Sequence, residues 1–291
     1  MTLSDNLRGI LWMVFGMAGF AVLDTLLKIL AGAIPTGQVM ILQGIGGATV
    51  FFLMGLRAGA RDWAKRAMHP AVVARNICEA LAAVCFITAL ANAPLSLVAA
   101  IIQANPLLVT LGAAVFLREP VGIHRWSAIF VGLLGVLLVI RPWGAGFEPS
   151  SLWAVAGVIA LSARDLLVRW VPRHYPTVQL GAMAMISLTL AGGALQLLPG
   201  ATFDPMDGAQ QIILVVSIFA LAVGFIGTTN AMRSGDISAV TPFRYSRLPF
   251  AIGLAAIILN ERPDALTLIG AGVIVASGLY TLWREQVRRR G

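Results

Sequence analysis

Several charged or amide side chains stand inside stretches that are otherwise apolar, and their spacing limits the chemistry open to them. The segment SAVTPFRYSRLPFAIGLAAIILN carries Arg244 and Arg247 three residues apart, with Tyr245 beside them and Pro242 and Pro249 on either side. Three residues is close to one helical turn, so both guanidiniums share a face, and their planar forks suit a carboxylate. The prolines remove backbone donors and bend a helix, which a bilayer tolerates only where the freed carbonyls meet protein or a watery cavity. Asp24 and Lys28, Arg75 and Glu79, and Asp165 and Arg169 are each spaced i to i+4, one face per pair. Each pair reads as an orienting ion pair. Alternatively, its acid accepts a proton or binds a substrate amine, since burial disfavours the charged form and a neighbouring base favours it. Arg247 and Glu79 lie at matching depths, so a bridge between them is also expected, or two states of one switch. Gln103, Asn105 and Pro106 interrupt a further apolar run, and Gln43 and Asn230 interrupt two more. Such amides either bond a zwitterionic ligand or join helices to one another.

The elements that position these groups follow from composition. Of 291 residues, 58% are hydrophobic and only 12% charged, and mean hydropathy is +0.86. That excludes an ordinary soluble domain and makes the bilayer the solvent. The net charge of +8 does not form a basic face, so nucleic acid is not an expected partner. A hydrocarbon core needs about 20 apolar residues per helix. Runs of that kind predict ten spans, at 8–31, 37–56, 71–91, 95–117, 122–141, 151–171, 178–198, 210–232, 238–259 and 265–283. The apolar N-terminal run has no small-residue cleavage pattern after it, so the first span is expected to remain in the mature protein. Cys78 and Cys85 sit on one helix and cannot bridge.

Basic residues of short loops stay cytoplasmic. With both termini inside, Arg57, Arg61, Lys65, Arg66, Arg118, Arg125, Arg169, Arg173, Arg233 and the tail Arg284, Arg288, Arg289 and Arg290 all fall on the cytoplasmic side. Lys28, Arg141 and Arg262 fall outside, and the loop with Asp204 and Asp207 becomes periplasmic.

A shift of 141 residues aligns Trp12 with Trp153, Gly16 with Gly157, Asp24 with Asp165, Lys28 with Arg169 and Gln38 with Gln179. A shift of 142 aligns Ser96 with Ser238 and Glu119 with Glu261. The chain therefore reads as an all-α membrane protein of ten transmembrane helices in two five-helix repeats, 1–141 and 151–291, the second ending in a basic tail. An odd number of spans per repeat makes the two inverted. Inverted repeats give two nearly equivalent conformations with a substrate site at their interface, the geometry of alternating access. Gly132, Gly135, Gly270 and Gly272 predict close helix contacts in the last span of each half, which buttresses the bundle or forms a dimer face. Trp12, Trp143, Trp153, Trp170 and Trp283 read as interfacial belt residues.

Two stretches, PLSLVAAIIQANPLLVTLGAAVFLREPVGIHRWSAIFVGLLGVLLVIRP and ISAVTPFRYSRLPFAIGLAAIILNERPDALTLIGAGVIVASGLYTLWRE, together with FAVLDTLLK in the first span, resemble the ten-helix EamA family of the drug/metabolite transporter superfamily. The resemblance covers nearly the whole chain. It implies a central cavity among spans one, three, four, six, eight and nine, and a secondary transporter of small amphipathic metabolites in a bacterial inner membrane. Amino-acid export is the single expectation, with uptake of another metabolite, for example a nucleoside-like or S-adenosylmethionine-like cation, as the alternative. Many relatives carry an arginine where this chain has Gln43, so the resemblance does not carry an anion-binding role over to this position. Asp24, Gln43, Glu79, Gln103, Asn105, Asp165, Asn230, Arg244, Tyr245 and Arg247 are the candidate substrate-binding residues.

No GxxxxGK[ST] loop is present, so ATP is not a direct driver, and both proton coupling and facilitated diffusion fit. No cofactor is called for, and a monomer or a homodimer is compatible with the sequence. A channel would conduct without saturating. An intramembrane enzyme needs a nucleophile, base or metal set inside the bundle, whereas His69, His124 and His174 are expected in loops and no HExxH occurs.

Overall fold

The computed structural model describes residues 3–57, 66–118, 122–143, 147–172, 174–234 and 237–290. Their helices are α1 (Leu3–Ala31), α2 (Thr36–Arg57), α3 (Pro70–Asn92), α4 (Leu95–Ile102), α5 (Asn105–Phe116), α6 (Ile123–Ile140), α7 (Ser151–Leu167), α8 (Thr177–Gln196), α9 (Gly208–Ser234), α10 (Ile237–Val240), α11 (Arg247–Ile258) and α12 (Ala265–Arg290). Turns of 3₁₀ helix occupy Val168–Trp170 and Thr241–Ser246. Among the described residues nine helices are long and apolar enough to cross a membrane, with Leu95–Phe116 counted as one. The span expected at 238–259 is interrupted by the second 3₁₀ turn. Arg61, Lys65, Glu119 and Arg173 lie outside the described residues, as do the side chains of Ser238, Arg288, Arg289 and Arg290.

Proline accounts for both interruptions. Pro106, in the first turn of α5, cannot donate to the carbonyl of Ile102 and crowds it, so α4 stops there and Gln103 and Ala104 form a turn. Pro249 in α11 likewise cannot bond the carbonyl of Tyr245, and the backbone before it tightens into 3₁₀ geometry.

The long helices pair across the two halves. The principal contacts join α1 to α9, α2 to α8, α3 to α7 and α6 to α12, while α4 packs on α11. Three of these pairings approach through facing glycines. A Cβ at Gly227 would lie 2.5 Å from the Gly16 Cα, one at Gly192 2.7 Å from the Gly37 carbonyl oxygen, and one at Gly270 2.8 Å from that of Gly135. Gly132 is also tightly packed, but Gly272, expected in a contact, faces open space. Two buried glutamines fasten the halves together. Gln38 exchanges two hydrogen bonds with the backbone of Asp204, and Gln179 accepts one from Arg66. The interior is filled by Leu30, Leu90, Leu95, Ile101 and Leu107, while Leu11, Phe15, Phe52, Phe130, Leu190, Phe219 and Ile257 are exposed on the perimeter. An apolar exterior on this scale suits hydrocarbon rather than water. This is a multi-pass membrane protein.

Two local expectations change. His124 lies in the first turn of α6 and not in a loop, and Trp12 is half-buried, whereas Trp143, Trp153, Trp170 and Trp283 are exposed.

Candidate binding cavity

A cavity of about 660 Å³ lies between the halves. Its walls come from α1, α3, α5, α7 and the 3₁₀ turn before α11, with single contributions such as Gln43 from α2 and Leu221 from α9. Of the candidate residues, Asp24, Gln43, Gln103, Asn105, Asp165, Arg244, Tyr245 and Arg247 line it. Glu79 does not line it but binds an arginine that does. Asn230, on α9, is not among the lining residues.

The buried charges form two networks. Asp24, 2% exposed, accepts hydrogen bonds from Arg247 Nε at 2.9 Å and Nη2 at 2.7 Å, a bidentate pair joining α1 to α11. The same guanidinium lies over the Phe20 ring, 5.4 Å from its centroid. In the second network Arg164 donates through Nη1 to both oxygens of Glu79, at 3.1 and 2.9 Å, and through Nε and Nη2 to Asp165 Oδ1, at 2.9 and 2.6 Å. Asn105 donates to Asp165 Oδ2 at 2.8 Å and accepts from Ser162 at 2.7 Å, tying α5 to α7. Arg75 completes the set, 3.0 Å from Glu79.

This arrangement corrects three pairings. Asp24 binds Arg247 and not Lys28, because α11 brings a fork of donors to a carboxylate that a lysine at the helix end would meet singly. Lys28 instead donates to the carbonyls of Leu90 and Ala93, at 3.0 and 2.7 Å, ending α3, and stands 3.9 Å from Glu261. Asp165 binds Arg164, not Arg169, and the Arg247 to Glu79 bridge is absent, since Glu79 is held by Arg75 and Arg164. Of the three i to i+4 pairs, Arg75 and Glu79 form an ion pair within the second network. Arg164 was missed altogether. A charge inside an apolar run was the available signal, but spacing arguments look three and four residues away and its acid is the adjacent residue.

The amides answer the broken helices. Gln103 donates to the Tyr245 carbonyl at 3.2 Å, supplying a partner to the oxygen that Pro249 cannot bond. Gln43 accepts from Ser217 at 2.7 Å. The buried Tyr245 hydroxyl has no hydrogen-bond partner among the described residues and occupies the space left by the absent side chain of Gly278.

The ends of the cavity differ. Arg125, Arg169 and Leu282 line one end. At the other, Glu261 accepts from the backbone of Leu95 at 2.8 Å and Ser96 at 3.1 Å and from the Ser96 hydroxyl at 3.1 Å. It thereby satisfies unpaired donors at the α4 N-terminus, where the helix dipole favours an anion.

The sequence model of the EamA-like transporter family matches residues 7–141 and, a second time, residues 149–283. The chain belongs to this family. Its EamA relatives include the riboflavin transporter of Rhizobium johnstonii, 26% identical over 289 residues, covering 97% of this chain and 93% of that one. The pseudopaline exporter CntI of Pseudomonas aeruginosa is 24% identical over 273 residues, 92% of this chain and 94% of that one. The S-adenosylmethionine uptake transporter of Rickettsia prowazekii is 23% identical over 296 residues, 98% of this chain and 95% of that one. A crystal structure at 19% identity superposes with a TM-score of 0.63, covering 96% of this chain and 98% of that one, which establishes a shared fold. EamA relatives thus carry small molecules across membranes, and this chain is a small-molecule transporter of the same family.

Proposed function

We propose that the protein is a secondary carrier of a small amphipathic metabolite, working by alternating access in a bacterial inner membrane. One observation carries the reading: a cavity walled by both halves reaches one end of the bundle, where Arg125 and Arg169 line it, while Glu261 ties α4 and α11 together at the other. Residues 1–141 and 151–291 act as inverted repeats. The double family match supports this, and so does the pairing pattern. Exchanging the halves turns the α1 and α9 contact into that of α7 and α3, and leaves the α2–α8 and α6–α12 contacts unchanged. Both termini are cytoplasmic in this reading, as the distribution of basic residues favours, so the cavity faces the cytoplasm.

Amino-acid export is the narrower expectation. A volume of about 660 Å³ lies in the range that takes drug-sized ligands and favours a larger metabolite than a single amino acid. The paired charges leave proton-coupled and facilitated transport both compatible with the site. Reconstitution in liposomes tests the proposal, with riboflavin, S-adenosylmethionine and amino acids as first candidates. Flux of a substrate should saturate and be accelerated by the same substrate on the far side. Linear flux without such exchange would identify a channel instead.

A further inference from the structure

Of the arginines in the inner networks, Arg244 alone has no hydrogen bond or ion pair with a described residue and meets Asp165 only through space. Arg247 is closed on Asp24, and Arg164 on Glu79 and Asp165. Arg125 and Arg169 are each engaged as well. Arg244 lines the cavity and is accessible to solvent, yet it makes no hydrogen bond or ion pair with any described residue. Both oxygens of each nearby acid already accept a hydrogen bond. Asp165 has Oδ1 on Arg164 and Oδ2 on Asn105, and Asp24 has both oxygens on Arg247. The inner networks therefore set three carboxylates, Asp24, Glu79 and Asp165, against the guanidiniums of Arg75, Arg164, Arg244 and Arg247, and the surplus positive charge is that of Arg244.

An uncompensated charge at membrane depth is unfavourable, and where one is kept it marks a substrate path or a binding site. Gln43 supplies a second unmatched donor. It is 2% exposed and lines the same cavity; its Oε1 is taken by Ser217, and its Nε2 has no partner among the described residues. The Nε2 of Gln43 is itself shielded from solvent, as is the Tyr245 hydroxyl, so the open position that faces the cavity is the donor Arg244. A ligand that completes it must bring acceptors and negative charge. The walls between are apolar, formed by Phe20, Leu23, Phe86, Ile102 and Val109.

We propose that the molecule carried is an amphipathic organic anion, its carboxylate or phosphate held by the guanidinium of Arg244 and its apolar body lying against Phe20 and Phe86. This inference rests on the carrier reading and names the chemical class of its substrate. A zwitterion fits when its oxyanion takes Arg244. A molecule bearing only positive charge does not, because the acids that would receive it are already paired.

Thermal-shift titration of the purified full chain in non-ionic detergent, with matched probes that differ in charge, tests the assignment. The probes are riboflavin 5′-phosphate against riboflavin, N-acetyltryptophan against its amide, and tryptamine as the cation. At least one anion should bind roughly tenfold more tightly than its neutral counterpart, the scale of a charge-assisted hydrogen bond. Arg244→Gln should abolish that preference, and Arg244→Lys should retain part of it. With no ligand, Arg244→Gln should melt at or above the temperature of the parent, since no protein partner is lost; a lower temperature would show Arg244 to be structural and overturn the proposal. So would anions that bind no better than their neutral partners, bind equally to Arg244→Gln, or fail to bind at all. Counterflow in liposomes with the tightest-binding probe separates the two readings. Exchange of a neutral or cationic probe leaves the carrier standing and removes the anion site, whereas a bound anion that never exchanges keeps the site and removes the carrier.

Discussion

Asp24 and Arg247 join the first helix of one half to the broken helix of the other, so the cost of separating them falls on both. Removing one partner strands a buried charge, and either Asp24→Asn or Arg247→Gln should destabilise the protein by about 3–5 kcal/mol. The double variant should recover a substantial part of that loss, which a thermal-unfolding cycle of the four proteins in detergent will measure. An additive double variant would show that the pair is not coupled. Outside the bilayer, Asp264 offers a pH test. The hydrogen bond from Arg141 lowers its pKa from 3.8 to about 2, with the backbone and side chain of Thr267 contributing in the same direction and partial burial opposing. A depressed carboxyl stabilises the fold above its ordinary value and loses that effect as pH falls toward its folded value. The loss here therefore belongs to the window from about 3.8 down to about 2. Asp264 is 55% exposed, so the effect is small, under about 1 kcal/mol. Asp264→Asn should flatten the fall in melting temperature across that window. Most of the buried polar residues of the cavity were legible as single polar positions in apolar runs, yet their partners were not. Leu23 and Arg164 occupy matching positions under the 141-residue shift, so a repeat argument that singled out Asp24 and Asp165 carried no trace of Arg164.

At the level of helices, the sequence declared where the chain must bend without saying what the bend would receive. Pro106 and Pro249 mark both interruptions, but the bond from Gln103 to the Tyr245 carbonyl joins residues 142 positions apart and belongs to packing that no local pattern records. Glycine spacing foretold close approach at Gly135 and Gly270 and misplaced Gly272, because a small residue looks alike on an inner and an outer face. That difference is open to measurement. Gly227→Ala places a Cβ against the Gly16 backbone, forces α1 and α9 apart, and should cost about 1–3 kcal/mol. Gly272→Ala meets nothing within 4 Å and should leave the melting temperature unchanged. Equal effects would mean that the two surfaces are not distinguished as described.

Over the whole molecule, the one closed end depends on a carboxylate held by three donors of α4. Glu261→Gln sets an amide N–H₂ where those donors need an acceptor, and the loss of charge-assisted bonds should favour opening at that end by roughly 1.5 kcal/mol or more. With Cys78 and Cys85 replaced and a cysteine placed at the buried Leu97, an impermeant thiol reagent added from that side should label about tenfold faster in the variant. Unchanged labelling would show that something other than Glu261 keeps the end shut. The two glutamine clasps have a further consequence. Gln38 grips the loop at Asp204, and Gln179 grips Arg66, so each half of the chain carries the fastener for the other and lacks its own. A gene split between the halves should therefore yield two polypeptides that are unstable when made alone and recover one another when made together, a complementation assay in which neither fragment is the host.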